Sequence, residues 1–150
     1  LSLGYVNYEF SSFAKPGYEC KNNVTYWNRG KYIGFGPSAH SFDGVKRKWN
    51  ISNNQKYIEK IKLNSIAYES EILSETDILN EIIMIGLRTS EGLDLDLIES
   101  KFSNLNLEKL IQQIQLKIMD GVLVKTDNKL HPSRDYKFLT DGIASDLFIT

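Results

Sequence analysis

Apolar residues fall into two regimes along this chain, with the change near residue 50. Beyond that point they recur at helical spacing. Tyr57, Ile58 and Ile61 predict an amphipathic helix over 53–63. Ser74 followed by Asp77 gives a capping pattern, and Ile78, Leu79, Ile82, Ile83 and Ile85 give the helix after it a wide apolar face. Leu95, Ile98 and Phe102 mark a short helix, with Asp94, Asp96 and Glu99 at its start, where acidic side chains suit the helix dipole. Leu107, Leu110, Ile111, Ile114 and Ile118 mark another, which Gly121 stops. Val122-Leu123-Val124, a turn at Asp127-Asn128 and Lys129-Leu130-His131 form a hairpin. Thr140 is expected to cap a last helix through Ile143, Leu147 and Phe148.

Before residue 50 the helical period is absent, and glycines and aromatics are dense. Residues 3–10 read as a strand, and Lys15-Pro16-Gly17 as a turn. Tyr32-Ile33-Gly34-Phe35-Gly36 reads as a buried strand running into a loop, with glycines that admit another backbone or a ligand. Asn22 and Asn23 suit a turn. Tyr26 and Trp27 offer aromatic faces with a polar edge, either as an anchor under a loop or as a wall for a flat ligand. Two strands without neighbours are marginal in water, so this part is expected to lean on something else or to pair between two copies as a dimer. The later part, three helices and a hairpin, follows the order of a winged-helix domain and can bury its own core.

Charge narrows the function classes. Eighteen basic and 19 acidic residues give a net charge of −1, which supplies no general pull on nucleic acid or anionic lipid. The helix near 107–119 carries only Lys109 and Lys117 as cations, few for a recognition helix. No apolar run is long enough for membrane insertion. One cysteine, Cys20, permits no internal disulfide and fits a reducing, cytoplasmic setting. The opening Leu1-Ser2-Leu3 has no initiator methionine or signal pattern, as expected of a fragment or processed chain. Lys46, Arg47 and Lys48 read first as a solvated face or linker; meeting the carboxylate of a ligand is the sharper alternative.

Three ordered motifs go further. The run YEFSSFAKPGYECKNNVTYWNRGKYIGFGPSAHSFDG, the segment EIIMIGLRTSEG at 81–92, and Leu139-Thr140-Asp141-Gly142 together resemble the end of the oxygen-independent coproporphyrinogen III oxidase-like radical-SAM family, and within it the haem-chaperone branch. The resemblance implies an α+β arrangement: terminal strands of a partial TIM-like radical-SAM barrel at 1–50, a linker helix at 51–73, and a mainly helical winged-helix-like domain at 74–150. It implies S-adenosylmethionine and a [4Fe-4S] cluster in the intact parent, with haem or porphyrin as the molecule handled. Gly34, Gly36, Ala39 and His40 fall on the loop beside S-adenosylmethionine, and Asn22, Tyr26 and Trp27 on the haem or porphyrin side.

Two departures from the family pattern matter. The cluster motif, three cysteines spaced C-x3-C-x2-C, is absent, so this chain alone is expected to hold no cofactor and to be inert. The H-N-x-x-Y-W motif of the haem chaperones reads Asn22-Asn23-Val24-Thr25-Tyr26-Trp27 here, and an amide is a poor iron ligand beside imidazole. Two readings stay open: a module of a porphyrin-oxidising or haem-delivering radical-SAM protein, and a non-catalytic winged-helix binding module for a protein or nucleic acid.

Overall fold

A computed structural model describes residues 3–150. In chain order the elements are β1 (Val6–Glu9), β2 (Ser12–Ala14), α1 (Lys21–Trp27), β3 (His40–Phe42), β4 (Lys46–Asn50), α2 (Asn54–Lys62) and β5 (Tyr68–Ile72). There follow α3 (Glu75–Arg88), β6 (Leu93–Asp94), α4 (Leu95–Lys101), α5 (Glu108–Met119), β7 (Leu123–Thr126), β8 (Lys129–Pro132), a 3-10 helix (Arg134–Leu139) and α6 (Thr140–Asp146). The architecture is mixed α/β. It has two compact units, Leu1–Cys20 with Ser74–Thr150, and Lys21–Leu73. None of the helices is long and apolar enough to cross a membrane among the described residues.

The discontinuous unit holds the main core. The capping box of α3 forms as its sequence predicts: the Ser74 hydroxyl accepts from Asp77 N–H at 3.1 Å, and the Asp77 carboxylate accepts from Ser74 N–H at 3.0 Å. Leu79, Ile83 and Leu87, spaced four apart, turn one stripe of α3 inward against Leu93, Phe102, Leu110, Ile114 and Leu130. Each such side chain contributes about 1.5–3 kcal/mol when fully buried. Gly86 sits inside α3 because a Cβ there would lie 2.7 Å from the Cα of Leu93. The hairpin β7–β8 forms as expected, and β8 also pairs with β6, giving the order β6-β8-β7. Strand β6 is two residues long and leaves no periodic signal to read. Asp94 caps α4 by accepting from Leu97 N–H at 3.0 Å. Thr140 begins α6 rather than capping it, and its hydroxyl donates back to Lys137 O at 2.6 Å.

The N-terminal strands expected to lack neighbours have them. Strand β1 pairs antiparallel with β2, Glu9 bridges to Thr89, and Ser90 N–H donates to Tyr8 O at 3.1 Å. The expectation that the strands of residues 1–50 stand unpaired is thus corrected: they find partners within the chain. Phe10, at the tip, meets the edge of Phe138 with centroids 6.0 Å apart. The Arg88 guanidinium lies 5.2 Å over the Phe10 ring, and its Nη1 bonds Asp141 at 2.5 Å. Lys137 donates to the Asn7 side chain. An aromatic tip, a cation over its face and a carboxylate behind the cation thus fasten the hairpin to the end of α3.

The other unit is a three-stranded antiparallel meander with β4 in the centre, order β3-β4-β5. The basic triplet expected in a linker is this central strand. Its period of two sends Lys46 and Lys48 to one face and Arg47 and Trp49 to the other. Arg47 is paired with Glu71 at 3.5 Å, and Trp49 Nε1 donates to Glu69 at 3.1 Å. Helix α2, expected as a linker, is part of this unit and buries none of its residues. Tyr32–Gly36 is no buried strand: Tyr32 makes one bridge to Phe42, and Ile33 and Phe35 are 75% and 88% exposed. Cys20-Lys21-Asn22-Asn23 does not turn but leads into α1, which starts at Lys21.

Glu9 supplies a test of the hairpin. It is 4% exposed, and its carboxylate accepts from Ser11 N–H at 2.5 Å and Ser11 Oγ at 2.7 Å. Burial pushes its pKa up, but the Ser11 and Ser12 hydrogen bonds and the Arg88 charge outweigh burial and hold it below 4.5. A carboxylate depressed in the folded state contributes stability that is complete above its unfolded pKa and is lost as pH falls through the folded value. The Glu9 contribution is therefore whole at neutral pH and drains away below about pH 4.5. Glu9→Gln should cost about 1–2 kcal/mol at pH 7, and the gap to the parent chain should narrow by pH 3; denaturant midpoints at the two pH values check this.

Candidate functional site

The site residues singled out by sequence fall in the Lys21–Leu73 unit, on α1, on the loop between α1 and β3, and at the start of β3. Helix α1 buries none of its residues. Asn22 lies exposed in its first turn, and Tyr26 is 42% exposed in its last. Trp27, beside Tyr26, is half-buried. Helix α1 ends at Trp27, and the turn after it passes through Arg29, whose φ of 51° is left-handed, to Gly30, whose N–H donates to Thr25 O at 2.8 Å.

From Tyr26 an aromatic series runs to the sheet. The Tyr26 ring meets Tyr32 edge-on at 4.6 Å, and Tyr32 meets Phe42 at 6.2 Å. The Arg29 guanidinium stands 5.2 Å over the other partner of Tyr32, Phe42. Burial, and then the charge of Arg47, lower the pKa of Arg29. Tyr32, Phe42 and Arg29 were not legible as site residues. The signal that could have found them is the match of Tyr32 and Phe42 across one bridge, which only the fold supplies.

The glycine–alanine loop is shaped by its own hydrogen bonds. Gly34 lies against the next strand: a Cβ there would fall inside the carbonyl oxygen of His40 and 2.9 Å from the Cβ of Ala39. The backbone that Gly34 admits is thus the chain's own, and its N–H donates to Ser41 Oγ at 3.0 Å. Gly36 differs. Its φ is +93° and a Cβ there would meet nothing within 4 Å, so it is the position of this loop with open space beside its backbone. Asn50 braces the loop from β4, its side-chain amide donating to Gly36 O at 2.9 Å and its backbone N–H to Ala39 O at 2.9 Å. His40 leaves the loop exposed, tilted over Trp49 with ring centroids 6.5 Å apart. The structure thus brings Gly34, Ala39 and His40 together, with Gly36 tied to the same Asn50. Asn22, Tyr26 and Trp27 sit together on α1, joined to the loop through Tyr32.

On the sheet face carrying Ser41, Lys46 and Lys48, a groove of about 520 Å³ opens between β3–β4 and Lys31, Tyr32 and Ile33. Asp43 lines it too, but that carboxylate accepts from the backbone N–H of Lys46 at 2.8 Å and of Val45 at 3.2 Å. Those two hydrogen bonds hold the Asp43 pKa below its ordinary value, with smaller help from Lys48 and Lys31. As for metals, no group of three histidine, cysteine or acidic side chains is placed to hold an ion among the described residues. The lone Cys20 is exposed, and a donor set with one thiolate does not fit an iron–sulfur cluster.

Comparison with known proteins gives the setting. Residues 73–135 match the family described as the HemN C-terminal domain. The chain is 30% identical over 143 residues to the heme chaperone HemW of Bacillus subtilis, covering 93% of this chain and 37% of that protein. It is 32% identical over 129 residues to the heme chaperone HemW of Lactococcus lactis, covering 85% of this chain and 34% of that one. The solved structure of coproporphyrinogen III oxidase (HemN) from Escherichia coli, a radical-SAM enzyme, superposes with a TM-score of 0.74 at 17% identity, over 97% of this chain and 37% of that one. The chain therefore spans about a third of the length of the relatives it matches.

The two loop glycines should respond differently to alanine. At Gly34 the added methyl must displace the His40 backbone, and Gly34→Ala should cost about 2–3 kcal/mol as an overpacked site. Gly36→Ala meets no atom but keeps a left-handed backbone, costing about 1–2 kcal/mol. Thermal unfolding of both variants checks the order, which reverses if the loop at Gly34 is looser than described.

Proposed function

We propose that this chain, similar over nearly all its length to HemW and carrying a HemN C-terminal domain, is the C-terminal part of a radical-SAM protein that delivers haem or acts on a porphyrin. The observation that carries the reading is 30% identity across 93% of the chain to a heme chaperone, together with the domain match at 73–135. Haem delivery is preferred because the Bacillus subtilis and Lactococcus lactis relatives are heme chaperones by name. In this reading β3 and the loop before it close a partial barrel, and the unit holding α3 to β8 is winged-helix-like. Support for the latter is the order α3-β6-α4-α5-β7-β8 with a hairpin on a third strand. A reducing, cytoplasmic setting goes with the single exposed cysteine.

Bound in the parent, the cluster and S-adenosylmethionine would supply one-electron chemistry, and the thiolates for the cluster come from outside this chain. This chain's own residues would shape the ligand side. Gly36 and Ala39 would present backbone to S-adenosylmethionine without a side chain between, Gly36 having the open space to do so. Gly34 would act one step back, letting the loop close on β3. His40 is exposed and offers an imidazole for contact or ligation. Tyr26 and Trp27 would form a wall for the ring system, with Tyr32 and Phe42 stiffening it from behind.

Asn22 is the residue by which this reading is tested. It is exposed at the start of α1, where an imidazole would meet no obstacle from burial. In the full-length parent, Asn22→His should tighten haem binding and shift the Soret band toward nitrogen ligation. Trp27→Ala should weaken binding several-fold, in line with about 1 kcal/mol for a stacked aromatic contact, and leave the unit around Ile83 folded. Haem affinity unchanged by both substitutions would return Tyr26 and Trp27 to the role of packing residues.

A further inference from the structure

The groove beside β4 is a concave, cationic surface that the reading above leaves unused, and its construction is specific. The alternation of β4 delivers Lys46 and Lys48 to one face, and the register β3–β4 sets Ser41 directly opposite Lys48. Lys31 arrives from the loop before β3, its Cε passing 3.5 Å from where Gly44 would carry a Cβ. Gly44 has φ +107°, which makes the tight turn over which that side chain passes. Tyr32 and Ile33 supply apolar walls, and Ile33 is 75% exposed with nothing else to cover it in this unit.

The cations of the groove form no ion pair among the described residues, and the Lys48 ammonium lies 5.2 Å over the Tyr68 ring. The ion pairs among the described residues take up Arg47, Arg88, Lys117 and Lys129, but not Lys31, Lys46 or Lys48. Glu69 and Glu71, the acids of the neighbouring strand, are turned to the opposite face by Trp49 and Arg47. The acid within the groove, Asp43, spends its Oδ1 on the turn amides of Val45 and Lys46. Three lysines and one carboxylate therefore line the groove. Ser41 Oγ already accepts from Gly34 N–H, which leaves its own O–H as a donor. Cations and a hydroxyl above apolar walls suit an anion carried on an apolar body, because ammonium groups gain most from an acid group in a site that also sheds water.

We infer that this groove binds the acid group of an apolar carboxylate or phosphate ligand, with Lys31, Lys46, Lys48 and Ser41 on the acid and Tyr32 and Ile33 against its body. The carboxylate side chains of a haem and a free phosphate share this chemistry, and the inference stands apart from where the ring of a haem would stack. The test uses this 150-residue chain. Backbone amide spectra are recorded while inorganic phosphate, haem or haem dimethyl ester is added, on the parent chain and on Lys31→Glu and Lys46→Glu variants.

The expected result is a saturable shift of the amides of Ser41, Asp43, Lys46 and Lys48 with phosphate or haem, weakened about tenfold or more by either reversal of charge. The dimethyl ester, which keeps the ring and loses the acid, should fail to produce it. Lys31 lies outside the strands, so Lys31→Glu keeps the test sound if Lys46→Glu disturbs the sheet. Phosphate acting where haem does not would uphold the groove and count against haem delivery. Haem ester equal to haem, shifts indifferent to Lys31→Glu, or no shift at these amides with either anion would overturn the inference.

Discussion

The structure depends on the chain closing on itself between Tyr8–Glu9 and Thr89–Ser90. The hydrogen bond from the Ser90 hydroxyl to Tyr8 O spans 82 residues of sequence. Closing a loop of that size has an entropic cost that grows only slowly with length, so contacts at the junction can offset it. They come from unlike sources: a backbone bridge at Glu9–Thr89, the Phe10–Phe138 ring contact, and Arg88 placed between the Phe10 ring and Asp141. Arg88 is the shared element, since it serves the hairpin through its face and α6 through its edge. Everything from Lys21 to Leu73 is thereby an insertion into a unit that the first 20 residues complete.

The glycines of the 34–41 loop show how one sequence signal can have two physical causes. Both Gly34 and Gly36 invite the reading that a ligand needs room. At Gly34 the room is taken by the chain, whose His40 backbone occupies the place of a side chain. At Gly36 it is the backbone angle that excludes other residues, and the space beside it is open. Asn50 links the two through carbonyls it reaches from β4, so the loop is braced by the same strand that carries the lysines of the groove.

Legibility in the sequence followed the size of the periodic signal. Helices α3 and α5 and the hairpin β7–β8 were readable because a buried stripe or a turn dipeptide repeats over many residues. The partner of Arg88 was not: Asp141 lies 53 positions away and only the fold brings it near. Tyr32–Gly36 read as a buried strand from its apolar composition, but Ile33 and Phe35, two apart, both face outward, and the run makes a single bridge at Tyr32. In KRKWN the basic residues hid a strand, because charge suggested a linker and three successive cations leave no apolar–polar alternation to read. At the candidate site the aromatic pair on α1 was visible, but Tyr32, Phe42 and Arg29 gain their place from tertiary contacts alone.

Strand β5 has a bearing on how this molecule keeps to itself. It is the outer strand of its sheet, all five of its residues are exposed, and among the described residues no strand pairs with its outer side. Such an edge is a template for aggregation unless something discourages a newcomer. Glu69 and Glu71 alternate along it with Tyr68 and Ile72, so an approaching strand must bring its own side chains against two carboxylates fixed in place by Trp49 and Arg47. The bonds that hold the sheet together from within are thus also what keep its border closed to strangers.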